Sequence, residues 1–309
     1  MRDGATLDRT WQKVLAAGAV PGAVVGCVAL AMAMMDVGVP PAATVLPIGA
    51  GMLLVVAALE RVLPWHRGWL HSRGDLGVDA LYLPTQAGVG ALFGPLAASL
   101  AVAGGGAIER LSPGGVWPSE WPLIAQIVLA SVIREFFDYW AHRVMHEADF
   151  LWRFHATHHS APRLYWLNGT RAHPIEIAFR FGLVGVIPLA VLGVDERVLA
   201  LTSVAALAAD TFQHANVALR LGPLAWVYSI GDAHRWHHSR VREEADRNYG
   251  NVYLFWDAVF GTRYLPADRE PPTDVGMTGL DAFPRGFLAQ WLSPFRWGRI
   301  LRESGSGTT

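Results

Sequence analysis

The chain has 309 residues, of which 52% are hydrophobic and only 17% charged, with a mean hydropathy of +0.27; too little charge is present to cover an ordinary soluble surface. A formal net charge of −1 leaves no basic excess to neutralise a phosphate backbone, which argues against nucleic acid as a partner. The single cysteine, Cys27, excludes an internal disulfide framework, a CxxC redox pair and a thiolate cluster, so any metal must be held mainly by nitrogen or oxygen.

At the N-terminus Arg2, Asp3, Asp8, Arg9 and Lys13 precede an apolar run without a small-x-small cleavage site, which reads as a retained membrane segment rather than a signal peptide. A helix needs about 20 mostly apolar residues to cross the hydrocarbon core. Four stretches are predicted to do so, roughly 19–37, 43–59, 78–103 and 122–141. In the third, Gly88, Gly90, Gly94 and Pro95 are expected to loosen or kink the helix, which membranes tolerate. Arg2, Arg9 and Lys13, and then Arg61, Arg67 and Arg73, alternate with connections at 36–41 and 104–121 that are poor in basic residues. That pattern predicts a cytoplasmic N-terminus and brings the fourth helix back to the cytoplasm near Ala141. Trp65, Trp69, Trp117 and Trp121 fall near segment ends, as interfacial anchors do.

Beyond Ala141 the chain turns polar, basic and rich in histidine. A weakly apolar pair of segments over 177–209 reads as a helical hairpin, spanning or re-entrant, and 221–266 is again rich in His, Arg and aromatic residues. Proline breakers follow from Pro266, and the small polar tail after Ser304 is expected to be disordered. The expected fold is all-α: one integral-membrane helical bundle of four transmembrane helices plus the hairpin, with a cytosolic His-rich helical cap. The stem is 1–141, the catalytic cap 142–266, and the C-terminal extension 267–309.

Ten of the twelve histidines lie between His142 and His238. His142 and His146 form an HxxxH; His155, His158 and His159 form an HxxHH; His234, His237 and His238 form a second HxxHH. Residues three and four apart share a helix face, so each cluster can aim two or three imidazoles at one spot. These eight rings exceed what a single zinc needs, since such sites close with four ligands or with three plus water. Imidazole suits iron, copper, nickel and zinc, so two metals are expected. His214 is a plausible ninth ligand. His173, followed by Pro174, is either a further ligand or a backbone hydrogen-bonding partner where the polar loop meets the membrane.

Ligand imidazoles need an acceptor for their second nitrogen. Asp138, one turn before His142, is well spaced for this, and Asp210, Asp232, Glu147 and Asp149 are other candidates. Salt bridges with Arg134, Arg143, Arg153 or Arg235 are the competing assignment. Arg134, Glu135 and Asp138 fall inside an apolar segment, where charge must be paired or functional. Tyr165, Trp166, Leu167, Trp226, Tyr228, Trp236 and Phe255 either line a substrate entrance or simply pack.

With these three histidine clusters, the stretch Asn248–Gly250, the segment Phe255–Thr262, and the shorter stretches Phe212–Asn216 and Arg171–Glu176, the chain resembles the fatty acid hydroxylase / sterol desaturase superfamily over about 124–265. The resemblance implies a helical stem, a cytosolic cap holding two irons (zinc can substitute in a purified sample), and dioxygen as co-substrate. Hydrogen is then taken from an unactivated C–H bond of a membrane lipid, giving hydroxylation or, alternatively, desaturation. The Phe255–Thr262 element is expected to add no ligand. Several family members place an HxxxH where only His214 stands here, with Ala218 four residues on. One iron would then have fewer protein ligands, or a water held by Asn216 or Asp210. No haem or flavin motif is present, so electrons are expected from a separate reductase, ferredoxin or cytochrome b5-like donor.

A polyhistidine membrane metal transporter is the rival from another class. Transporter ligands lie near the midplane on broken helices, whereas here they follow the fourth helix with arginines among them. A zinc hydrolase of the HExxH type is disfavoured, because Phe150 stands where the second histidine should follow His146-Glu147.

Overall fold

The computed structural model describes residues 9–113 and 115–305; Arg2, Asp3 and Asp8 of the N-terminal flank and the tail from 306 onward lie outside them. Among the described residues the chain is all-α, with three isolated β-bridges and no strand.

Helices α1 (Thr10–Asp36) and α2 (Val45–Val62, preceded by a 3-10 turn at Pro41–Thr44) are long and apolar enough to cross a membrane. The third, α3 (Leu76–Leu111), bends by 41° between Gly94 and Leu96, where the proline at position 95 has no amide hydrogen to give. It counts as a third span if both halves form one.

The fourth expected span is corrected. Helix α4 (Leu123–Glu147) is present, but it carries Arg134, Glu135, Asp138, Arg143 and Glu147 and buries Gln126, Glu135, Asp138, His142 and His146. Two or three candidate spans therefore replace the four expected. Protein rather than lipid supplies the partners of α4: Glu135 accepts the Val252 amide at 2.9 Å, and Trp256 Nε1 donates to the Val132 carbonyl at 3.0 Å.

Helix α5 (Asp149–His159) begins almost where α4 ends, because Ala148 adopts an extended conformation that breaks the rod and folds α5 back. The segment expected as a hairpin is helical on both sides of its turn, but its arms do not pair with each other: the first packs on α3 and α4, the second on α1, α2 and α4. It comprises α6 (Pro174–Ile177), a π-helical stretch Ala178–Val186, α7 (Ile187–Val191), a turn through Gly193, and α8 (Glu196–Asp210). Asp195 caps α8 by accepting the Arg197 amide at 2.8 Å. Ala16, Val20, Cys27 and Ala31 of α1 pack with Ile48, Met52 and Val56 of α2 and Leu201, Val204 and Ala208 of α8. Small residues matter in such an interface, because close backbone approach replaces the hydrophobic drive that lipid does not provide.

Short helices complete the cap: α9 (Asp232–His237), α10 (Arg242–Ala245) and α11 (Phe255–Val259). The C-terminal α12 (Phe287–Leu292) and α13 (Trp297–Gly305) return to the body, with Trp297 and Ile300 packing on Ala156 of α5. Of the four tryptophans expected as interfacial anchors, Trp65 and Trp69 are instead buried in a small core with Leu164 and Val275. Tyr165, Leu167 and Trp236 are buried too, while Trp226 and Phe255 are exposed.

Buried polar contacts clamp cap to stem. Arg163 pairs with Asp75 at 2.7 Å, and Arg171 donates to Asp79 at 2.6 Å, where the Tyr165 hydroxyl also donates at 2.8 Å. Glu60 accepts the amides of Trp166 at 2.6 Å and Asn216 at 2.8 Å. Arg163→Ala would leave Asp75 buried without its partner, which typically costs about 3–5 kcal/mol. The expected result is a marked drop in the thermal midpoint of the detergent-solubilised protein; an unchanged midpoint would show that the clamp contributes nothing.

Candidate metal centre

His142 and His146 occupy the last turns of α4, and His155, His158 and His159 those of α5, so the break at Ala148 folds the first two clusters together. The third cluster rides on α9, whose entry at Gly231 (φ +60°) needs a left-handed backbone that glycine adopts without strain. His214 follows the end of α8.

The nine rings sort into two buried groups. His142, His146, His155, His159 and His237 form one; His158, His214, His234 and His238 form the other, and within each the candidate ligand nitrogens lie within 4.8 Å of one another. His173 joins neither. Its Nδ1 accepts the Ile175 amide at 3.1 Å, capping α6, and its Nε2 meets the Trp291 carbonyl at 3.0 Å. Of the two roles left open for it, backbone hydrogen bonding is the one observed. His66 and His71 also stand outside both groups.

Six outer nitrogens are held with a consistent sense, while Nδ1 of His234 and of His238 is buried without a hydrogen-bond partner. His142 Nδ1 donates to the Tyr249 carbonyl at 2.7 Å, His237 Nδ1 to the Arg247 carbonyl at 2.8 Å, and His158 Nδ1 to the Arg171 carbonyl at 3.0 Å. Carbonyl oxygens only accept, so these Nδ1 atoms carry the proton and each Nε2 turns an unprotonated lone pair inward. Carboxylates do the same for His155 (Glu176, 2.7 Å) and His146 (Asp246, 3.0 Å), and the amide oxygen of Asn168 for His214 (2.9 Å).

Inward, the Nε2 atoms of His146, His159 and His237 are buried with no hydrogen-bond partner. Pairs of Nε2 atoms face each other: His142 with His155 at 3.0 Å, His158 with His214 at 3.2 Å, His234 with His238 at 3.1 Å. In the first two pairs each Nδ1 holds its ring's proton, so the facing lone pairs repel unless a cation lies between them. The donor set, nitrogen without thiolate, fits two transition ions of the kind imidazole binds. Burial also pushes His155, His159, His214, His234, His237 and His238 well below the ordinary imidazole pKa and His158 down to about 3, favouring the neutral, metal-binding form.

The four expected outer-layer partners are placed elsewhere. Asp138 faces Arg134 at 3.5 Å and Arg180 at 3.9 Å, and Asp232 pairs with Arg235 at 2.8 Å. Asn216 clamps the backbone of His66, accepting its amide at 2.8 Å and donating to its carbonyl at 3.0 Å; among the described residues Asp210 forms no hydrogen bond or ion pair with a histidine. For Asp138, Asp232 and Asn216 an arginine or a backbone group takes the place of the imidazole.

The partners that do serve were overlooked: Glu176, Asp246, Asn168 and three carbonyls. So was the part played by the Phe255–Thr262 element. Asp257 accepts the amides of Tyr249 (2.8 Å) and Gly250 (2.7 Å) and the Thr262 hydroxyl (2.7 Å). Asn248, at φ +52°, donates to the carbonyls of Ala233 (2.9 Å) and Tyr264 (2.7 Å). A Cβ on Gly250 would collide with the Tyr253 carbonyl. These restraints hold the backbone that offers the Arg247 and Tyr249 carbonyls to His237 and His142.

The model of the fatty acid hydroxylase family matches residues 127–262, a stretch containing all nine converging histidines. An ornithine lipid hydroxylase of Rhizobium tropici is 38% identical over 248 residues, covering 78% of this chain and 72% of that protein. The alkylglycerol monooxygenase of Homo sapiens is 32% identical over 146 residues, 47% of this chain and 31% of its own length. A methylsterol monooxygenase of Arabidopsis thaliana is 29% identical over 147 residues, 47% of this chain and 54% of its own. The chain thus spans about a third of the human protein it matches. No solved structure matches the chain.

Two outcomes are expected. Unfolded imidazoles take up protons below about pH 6.5, whereas the buried rings do not, so unfolding binds protons and stability falls with pH. Chelator-treated protein should therefore melt progressively lower as pH drops from about 6.5 towards about 3, the value for His158; a flat profile would contradict the buried neutral rings. Asp257→Ala should weaken metal retention about 10–100-fold in competition with a chelator, with Asp257→Asn recovering part of it, and retention equal to the parent would remove Asp257 from this role.

Proposed function

The chain belongs to the fatty acid hydroxylase family, and from that premise we propose that it is a dioxygen-dependent di-iron hydroxylase of an unactivated C–H bond in a membrane lipid, with ornithine lipid the first substrate to test. It is an oxidoreductase and a membrane protein. The observation that carries the reading is the pair of buried, all-imidazole groups at the end of an apolar stem. The ornithine lipid hydroxylase supports the substrate class, because its similarity extends over 248 residues, well beyond the catalytic core matched at 127–262. Relatives named as hydroxylases and monooxygenases favour oxygen insertion over desaturation, and an enzyme over a metal transporter.

Two irons held by the nine imidazoles would supply the oxidation: one oxygen atom enters the C–H bond, and the other leaves as water with two protons and two electrons. The chain's own residues do the rest. Glu176 and Asp246 draw on the Nδ1 protons of His155 and His146 and make those rings stronger donors. Enclosure by α4, α5, α8 and α9 keeps bulk water from the reacting position. The electrons come from a separate reductase, ferredoxin or cytochrome b5-like protein. The arginine distribution supports a multi-pass arrangement with the N-terminus and histidine motifs in the cytoplasm.

Protein purified from membranes should contain about two irons, as structural chemistry of this donor set suggests, and should convert ornithine lipid to a product gaining one oxygen from labelled dioxygen when a reductant is supplied. His158→Ala and His237→Ala should lower conversion by more than the about 10–100-fold typical of losing an outer partner, with membrane insertion intact. Full conversion by either variant, or product oxygen derived from water, would refute the assignment.

A further inference from the structure

The metal centre leaves one large apolar feature without a role. Between α3 and the α6–α7 arm runs a groove of about 500 Å³, lined only by apolar residues. Leu96, Ala97 and Leu100 present one helix face of α3 to it. Ile175, Ala178 and Phe179, at the same three- and four-residue spacing, present a face of that arm.

The groove has defined ends. At one, Gln86 Nε2 donates to the Thr170 carbonyl at 3.1 Å. At the other, α3 comes so close to α7 that a Cβ on Gly104 would collide with Val191. Between these contacts both walls depart from regular helix. Helix α3 bends by 41° between Gly94 and Leu96, and the facing wall is π-helical over Ala178–Val186. Long π-helical stretches are rare and concentrate at functional sites. The bend and the π-helical stretch thus flank the groove from its two sides.

We propose that this groove holds a hydrocarbon tail of the lipid substrate and selects for tail length, an inference that rests on the lipid-hydroxylase reading above. The volume falls in the range of small-molecule sites, about 300–1,000 Å³, and the lining offers no polar group for a headgroup, so the tail is the part that fits. Leu96, Leu100 and Ile175 are 55%, 42% and 48% exposed, leaving the groove open along the stem for lateral entry from the bilayer. Its wall is continuous with the centre: Ile175 lines the groove, and the next residue, Glu176, turns inward to His155 at 2.7 Å.

The test uses the whole protein in bilayer vesicles with a long-chain fatty acid carrying a diazirine near its methyl end. Photolabelling should concentrate on 93–100 and 174–187 above the level on the exposed α1 residues Val25 and Leu30, which report ordinary bilayer contact. Ala97→Phe and Ala178→Phe, each filling the groove, should remove that excess and raise KM for long-tailed lipid about tenfold, or about 1.4 kcal/mol, with metal content equal to the parent. Labelling no higher than on α1, or long-tail KM unchanged in both variants, overturns the proposal. If the parent oxidises no lipid, the function reading fails on its own, and the labelling comparison still decides the groove.

Discussion

Nine imidazoles can share two small volumes only if every inward-facing nitrogen is kept free of a proton. A neutral ring carries one proton, and in six of the nine rings that proton is fixed outward by an acceptor beyond the cluster, whereas Nδ1 of His234 and of His238 is buried without one. Much of the cap exists to place such acceptors. The Asp257 and Asn248 network fixes two carbonyls for His142 and His237. Arg171 serves twice: its guanidinium reaches Asp79 of α3, and its carbonyl takes the His158 proton. Asn168 is oriented by the Tyr165 amide, 3.1 Å from its Oδ1, and so turns the same oxygen to His214. The clamp between stem and cap is therefore continuous with the layer that sets ring tautomers.

The converging histidines were legible because their information is local. Three- and four-residue spacing survives any tertiary arrangement, provided the segment is helical, and all eight clustered rings and His214 converge. The outer layer was not legible for the opposite reason. Tyr249 meets His142 across 107 positions, and Asp246 meets His146 across 100. Half of these acceptors are backbone carbonyls, which any residue supplies, so no side-chain pattern marks them. Asp138 had the right spacing on the right helix, but the charges of Arg134 and Arg180 lie on its other side and hold it there.

The misread span has a related cause. Hydropathy averaged along α4 does not distinguish its two sides, one packed on protein and one on which Ile124, Val128 and Val144 are exposed. On the first side its apolar residues pack against neighbours such as α8, while Gln126, Glu135 and Asp138 are buried with polar partners that come from distant segments. A helix packed on protein along one side can carry charge there at modest cost when partners are supplied, and the last turns of this one carry two of the converging histidines. The bend in α3 was foreseeable from Gly94 and Pro95; what the bend faces was not, because the π-helical wall opposite has no signature in composition.

The two histidine groups are not equivalent, and the difference follows from the chain rather than from any bound ion. The five-ring group has two carboxylate acceptors behind it, Glu176 and Asp246, whereas the acceptors identified behind the four-ring group are the neutral Asn168 amide and Arg171 carbonyl. Carboxylate-supported rings donate more strongly, so a metal held by the first group would be the more electron-rich. A metal held by the second would have one fewer protein donor available. Glu176 sits on the turn that also forms the groove wall, so the apolar cleft and the stronger-donating group meet at the same place on α6. A shift of that turn would alter the shape of the cleft and the hydrogen bond to His155 together, because α6 is too short to move one without the other.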